Sequence, residues 1–179
     1  MKKFLAWFLV IQSFSLLTIG LYELYLHETP SLLAFNNYHV QQRRTFSEKD
    51  APTNITISAV GINLPIYTAT IVHHVWQTTD LGASYLTSSP LPGEKGNSII
   101  YGHNWTSLFG RLVNVKVGDK VVITYPDHKT KTFVIAYTSV VTPNEGSILD
   151  PTNDKRITMY TCTGLFDSHR FVAVAILKS

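Results

Sequence analysis

The stretch Ile157-Thr158-Met159-Tyr160-Thr161-Cys162-Thr163-Gly164 decides how the rest of the chain is read. Its side chains alternate at period two and then run into a glycine-containing loop, the signature of a β-strand that stops just after Cys162. That residue is the only cysteine among 179 residues. One cysteine excludes a disulfide framework, a thiolate zinc cluster and a Cys-x-x-Cys redox pair within the chain. A free cysteine is often a small core residue. A strand end beside Gly164 is instead where a barrel offers functional groups at its rim.

Outward from this strand the pattern stays β-rich. Asn54-Ile55-Thr56-Ile57-Ser58 alternates, Leu64-Pro65-Ile66-Tyr67 is short and interrupted by proline, and Ser98-Ile99-Ile100-Tyr101 follows a Pro/Gly cluster. Residues 120–125 and 132–141 flank Pro126-Asp127-His128-Lys129, a hairpin signal, and 171–177 is a last apolar strand. Only residues 107–113 leave room for a helix, and a short one. Seven or eight strands with no β-α alternation predict an all-β closed barrel, rich in antiparallel pairs, with short helices.

Before the barrel lies a different kind of sequence. From Phe4 to Tyr22 no residue is charged. As a helix this run measures about 28 Å, the hydrocarbon thickness of a bilayer. Lys2 and Lys3 precede it and Glu23, His27 and Glu28 follow it, so the reading is an N-terminal transmembrane anchor with a cytoplasmic N-terminus and an extracytoplasmic remainder at the plasma membrane. A cleaved signal peptide fits less well, because no good Ala-x-Ala site follows the run. Gln41, Gln42, Arg43, Arg44, Ser47, Glu48, Lys49 and Asp50 then mark a polar stalk, read as a spacer without chemistry. The expected organisation is residues 1–26 as tip and anchor, 27–52 as stalk, and 53–179 as the catalytic domain. Composition agrees: 45% apolar residues support both a bilayer helix and a core, and the net charge of +3 is scattered rather than striped. Nucleic-acid binding therefore has no electrostatic footprint.

A thiol of ordinary pKa, about 8.5, is only a few per cent ionised at neutral pH, so a nucleophilic Cys162 needs a basic or cationic neighbour. His103 stands just past the strand ending at Tyr101, with Gly102 allowing a sharp exit, and Arg170 stands just before the last strand. Thiol, imidazole and guanidinium at three strand ends compose a nucleophile, an acid/base and a charge stabiliser. Other histidines read differently. His73-His74 lacks a third ligand at metal-site spacing and reads as a surface turn, and His169 is a neighbour of Arg170 rather than a catalyst. Asn54-Ile55-Thr56 and Asn104-Trp105-Thr106 match the glycosylation sequon, a pattern common by chance. No P-loop, dinucleotide fingerprint, Gly-x-Ser-x-Gly or His-Glu-x-x-His is present.

Tyr101-Gly102-His103-Asn104, Phe109-Gly110-Arg111-Leu112, Val117-Gly118-Asp119-Lys120, Thr158-Met159-Tyr160-Thr161-Cys162 and an Arg170 opening the final strand resemble the sortases, in family order. Leu64-Pro65-Ile66 and Pro92-Gly93-Glu94-Lys95-Gly96-Asn97 add to the resemblance, which runs from about residue 55 to 177. Met159 stands where the family usually has Leu, a volume-conserving exchange. The resemblance implies an eight-stranded sortase barrel and a cysteine transpeptidase. In it Cys162 would attack the Thr carbonyl of a Leu-Pro-x-Thr-Gly-type sorting signal on a secreted protein. His103 would move the proton, Arg170 would hold substrate and oxyanion, and Thr161 would touch substrate. The acceptor would be an amine, from a cell-wall precursor or a pilin. Residues 163–169 leave little room for a long specificity loop, and 27–54 carries no Asp-Pro-aromatic lid, so an anchoring enzyme is expected rather than a pilin polymerase. Glu94, Asp80, Glu145 and Asp150 are dispersed, so no metal and no other cofactor is expected. The residues by themselves reach a thiol site but leave open a hydrolase or a membrane-anchored barrel that only binds; convergence of Cys162, His103 and Arg170 separates these readings.

Overall fold

The computed structural model describes residues 2–27, 33–36, 38, 50–73 and 75–178. Most of the stalk, from Gln41 to Lys49, and His74 lie outside the described residues. Helix α1 (Lys2–His27) precedes ten strands: β1 (Asn54–Ile57), β2 (Ile62–Ala69), β3 (Ile71–Val72), β4 (Val75–Trp76), β5 (Ala83–Leu86), β6 (Gly96–Tyr101), β7 (Lys120–Thr124), β8 (Thr130–Val141), β9 (Lys155–Thr163) and β10 (His169–Leu177). Eight of them close a barrel in the order β1-β2-β5-β6-β9-β10-β8-β7, and the β1–β7 pairing seals it, as the strand pattern predicts. Two joints, β2–β5 and β6–β9, are parallel; the others are antiparallel.

Strand alternation sorts the apolar residues into two cores. Inward positions such as Ile100, Ile157, Met159, Ala173 and Ala175 fill the barrel with Ile55, Val121, Phe133 and Phe109. Outward positions on β6, β9 and β10, namely Ile99, Tyr101, Tyr160, Cys162, Val172 and Val174, build a second cluster with Trp76, Leu149, Leu33 and Phe35. These central strands are therefore covered on both faces, which is why β6 is buried at every position and β9 from Ile157 to Cys162. Tyr101 and Tyr160 stack across the parallel joint at 5.4 Å, an aromatic pair worth about 0.5–1.5 kcal/mol beyond its burial.

The short β5 escapes sequence reading because Ala83-Ser84-Tyr85-Leu86 is buried at every position and shows no alternation. Pro65 is accommodated inside β2 because the ladder with β5 begins one residue later, at Ile66, so no donor is lost there. The helix allowed at residues 107–113 is a 3-10 turn, Phe109–Asn114, with Phe109 and Leu112 plugging one end of the barrel. His73 is exposed in the turn between β3 and β4.

The apolar N-terminal run is helical, as expected, and leaves Phe4, Trp7, Phe8, Phe14, Leu17 and Leu21 exposed. A membrane span does not follow from the fold: among the described residues no helix is long and apolar enough to cross a membrane.

Candidate active site

The three residues singled out from strand ends are brought into one row by register. On β9 and β10, Cys162 pairs directly with Arg170, and such partners hold their Cβ atoms about 4.5–5.5 Å apart on the same face. On the other side, β6 runs parallel to β9 with Tyr101 opposite Tyr160. Carrying that register two residues on sets His103 beside Cys162, and two residues restore the same face. The backbone continues alongside: the Gly102 N–H donates to the Tyr160 carbonyl at 3.3 Å, and the Thr161 hydroxyl donates to the Gly102 carbonyl at 2.8 Å. Cys162 and Arg170 are thus cross-strand partners on β9 and β10, with His103 in the loop two residues past the end of β6, the strand on the other side of β9.

Each is held from behind. The His103 ring stacks on Trp105 with centroids 4.8 Å apart and planes 15° from parallel. The His103 carbonyl accepts the Phe109 N–H at 3.0 Å, and the Trp105 carbonyl accepts from Leu108 and Gly110. Gly110 is required by this close winding, since a Cβ there would meet the Asn104 carbonyl oxygen at 2.3 Å. That contact gives the Phe109-Gly110 pair of the sequence motif its physical reason.

Arg170 is only 3% exposed, yet no described carboxylate pairs with it. Its Nη1 donates to the carbonyls of Asp167 and His169 at 2.9 and 3.0 Å, and its Nη2 donates to the Ala34 carbonyl at 3.2 Å. Its buried Nε has no hydrogen-bond partner among the described residues. A buried cation with a spare donor can receive a carbonyl or an oxyanion.

Cys162 is 4% exposed. Burial pushes its thiol up to about 12; Arg170 pulls it down and the Asp167 carboxylate pushes it up further. The resting thiol is therefore protonated at neutral pH. Tyr160, beneath it, is raised well above the ordinary tyrosine value for the same chief cause, burial.

Two expectations change. Thr161, expected to touch substrate, is fully buried on the inward face, and its hydroxyl is engaged by Gly102. Strand alternation forces this outcome, because the neighbour of an outward Cys162 must point inward. Its observed part is to tie the His103 loop to the nucleophile strand. The stalk, read as a spacer, reaches the site: Leu33 and Phe35 are buried in the outer cluster, the Leu33 carbonyl accepts the Tyr160 hydroxyl at 3.0 Å, and Asn36 bonds to Pro143 and Asn144. The apolar run Leu32-Leu33-Ala34-Phe35 was the available signal. Asp167 escapes sequence reading, and Asn104, named there only within the His103 motif and a sequon, is given no role; the two are joined by a 2.7 Å hydrogen bond. His169 is a neighbour, as expected, its Nδ1 lying 2.9 Å from the Ser168 hydroxyl.

The family model for the sortase domain matches residues 55–178. Sortase A of Listeria monocytogenes is 33% identical over 138 residues, covering 73% of this chain and 59% of that protein. Sortase A of Bacillus anthracis is 25% identical over 134 residues, covering 73% of this chain and 61% of that protein. The chain thus spans about three fifths of the length of these relatives. The crystal structure of Listeria monocytogenes sortase A superposes with a TM-score of 0.59 at 29% identity, over 74% of this chain and 89% of that one. With the barrel order, the row of Cys162, His103 and Arg170 and this match in hand, the chain belongs to the sortase family.

Proposed function

We propose that this chain is a cysteine transpeptidase that cleaves a C-terminal sorting signal of the Leu-Pro-x-Thr-Gly type on secreted proteins and passes the acyl group to a surface amine. The observation that carries the reading is the pairing of Cys162 with Arg170 across β9 and β10, with the His103 loop tied to β9 by the Gly102 N–H on the Tyr160 carbonyl and the Thr161 hydroxyl on the Gly102 carbonyl. The buried thiol is held in its protonated form at rest, so the nucleophile forms when substrate arrives and His103 takes the proton from Sγ. Sγ then bonds to the Thr carbonyl carbon, and the electron pair of that carbonyl becomes an oxyanion that Arg170 stabilises. Collapse breaks the C–N bond, His103 returns its proton to the departing amine, and a thioester remains. The incoming amine bonds to the same carbon, the C–S bond breaks, and the thiol is regenerated. Water in place of the amine would give hydrolysis, the one competing outcome at this site.

The proposed location is the plasma membrane, with α1 holding the enzyme to lipid and the barrel outside. The uncharged run from Phe4 to Tyr22 and the exposed aromatic and aliphatic side chains of α1 support this. Two of its hydroxyls are satisfied within the helix: Ser13 donates to the Leu9 carbonyl at 2.9 Å and Thr18 to the Ser15 carbonyl at 2.9 Å. A substrate still carried by its own apolar tail would meet the enzyme at a raised effective concentration.

Incubation of the protein with sorting-signal peptides should give, by mass spectrometry, a covalent adduct on Cys162 that an added amine discharges as an amide. Absence of an adduct across a broad peptide panel, with the thiol shown reduced, overturns the reading. Alkaline extraction of cell membranes should leave the full chain in the pellet, and its release would overturn the anchoring.

A further inference from the structure

The loop between Cys162 and Arg170 is short, yet it carries unusual backbone. Gly164 lies at φ +83°, and two non-glycine residues follow in the left-handed region, Phe166 at +55° and Asp167 at +54°. Consecutive left-handed side chains are disfavoured and persist only where surrounding contacts over-determine them. The contacts converge on Asp167. Its main-chain carbonyl accepts Arg170 Nη1 at 2.9 Å. Its carboxylate accepts Asn104 Nδ2 at 2.7 Å, across to the loop after β6. Asn104 directly follows His103, and its own carbonyl lies against Gly110, so the loop cannot drift away from that bond without unwinding the turn behind it.

We propose that Asp167 is a positioning residue for the reaction: one side chain and one carbonyl that lock the histidine loop and the arginine to each other over Cys162. This rests on the transpeptidase reading for its effect on turnover, but not for its effect on the loops. Strand pairing ends at Tyr101 on β6, and the bonds at Gly102 and the Phe109 N–H on the His103 carbonyl fix only the backbone of the His103 loop, none of them tying it to the loop that carries Arg170's partners. With the lock, the acid/base and the oxyanion donor share a single rigid reference. A second consequence concerns charge. Burial is the chief cause that keeps the Cys162 thiol protonated; the Arg170 guanidinium on β10 opposes it, and the Asp167 carboxylate, to a lesser extent, adds to it. Asp167 thus offsets part of the arginine's pull on the thiol until His103 withdraws the proton.

The test uses the full chain and variants at both ends of the bond. Asn tolerates the left-handed region and can still accept from Asn104, so Asp167→Asn keeps the lock and removes the charge. Asn104→Ala removes the lock, keeps the charge and introduces no backbone strain. For Asn104→Ala the expectation is a loss of about tenfold in kcat with KM within about twofold, at an essentially unchanged melting temperature. Asp167→Asn should keep kcat within about threefold while its iodoacetamide alkylation profile moves to lower pH; Asn104→Ala should leave that profile in place. Hydrogen exchange of residues 102–106 and 164–169 should quicken together in Asn104→Ala and in neither segment in Asp167→Asn. Wild-type kcat or unchanged exchange in Asn104→Ala overturns the lock, and an unmoved alkylation profile in Asp167→Asn overturns the charge effect. Turnover is measured on Leu-Pro-x-Thr-Gly peptides with an amine acceptor. If the wild type processes none, the transpeptidase reading falls, and the exchange and alkylation results still decide the role of Asp167.

Discussion

Strand β9 presents two faces made from the same few residues. Inward, Ile157, Met159 and Thr161 meet a mostly apolar barrel core, with Ser98 opposite Ile157 and the Gly102 carbonyl on the Thr161 hydroxyl as its polar neighbours. Outward, Thr158, Tyr160 and Cys162 meet Asn97, Tyr101, Arg170, Leu33 and Phe35. Both faces are buried, so exposure does not distinguish them. What differs is the content of the burial: the inner face removes hydrocarbon from water, whereas the outer face removes titratable and hydrogen-bonding groups that must each be given partners. The inner face is therefore a source of stability and the outer face a source of chemistry.

Substitutions three residues apart on the same strand should separate the two. Cys162→Ala and Arg170→Ala should each abolish measurable acyl transfer, a loss of at least about a thousandfold, with Cys162→Ala still folding, since a methyl fills most of the thiol's space. Met159→Ala should do the reverse: about 2–5 kcal/mol less stable in urea titration, with turnover per folded molecule close to the wild type. If Met159→Ala proved catalytically dead while fully folded, the division between the faces would fail. Thr161→Val lies between them. It keeps the volume but orphans the Gly102 carbonyl, so a cost of about 1–3 kcal/mol with a lowered kcat is expected, because Gly102 carries the His103 loop. The same melting and turnover measurements read it.

The smallest effect is one of pH. Cys162, Tyr101 and Tyr160 all have folded values raised above their ordinary ones by burial. The folded state then binds protons more tightly than the unfolded chain, so stability is complete below about pH 9 and declines as pH rises toward 12. The melting temperature should fall over that window. Cys162→Ala should remove its earliest part and leave the later, tyrosine-borne part intact. A flat profile in the wild type would break the account of the outer face as a buried, protonated surface. In parallel, iodoacetamide should label wild-type Cys162 more slowly at pH 8 than it labels the urea-unfolded chain.

The barrel and the catalytic row were both legible, for different reasons. Period-two alternation carried β1 and β9, runs bounded by turn signals carried β6, β7, β8 and β10, and strand ends followed by Gly102 and Gly164 marked where groups could emerge. Alternation failed at Ala83-Ser84-Tyr85-Leu86, which is buried on both sides, and at β3 and β4, too short to show a period. Within the site, Cys162, His103 and Arg170 could be found because their residue types carry chemistry. Asn104 and Asp167 could not, because their part lies in a bond between residues far apart in the chain. The direction of Thr161 was available from parity alone, had strand alternation been applied to the residue next to the nucleophile. Leu33 and Phe35 were hidden by the polar stretch around them.

The parallel joint between β6 and β9 also fixes when the site can exist. Parallel neighbours cannot be joined by a hairpin, and here the connection runs through β7 and β8 before returning. The pairing that sets the His103 loop beside Cys162 therefore closes a long stretch of intervening chain and carries that stretch's loop-closure entropy as its cost. Non-local pairing of this kind belongs to the slow end of small-domain folding, about milliseconds to seconds. A chain still threading toward its native state holds a thiol without its imidazole and guanidinium neighbours. Assembly of the catalytic row thus reports completion of the barrel.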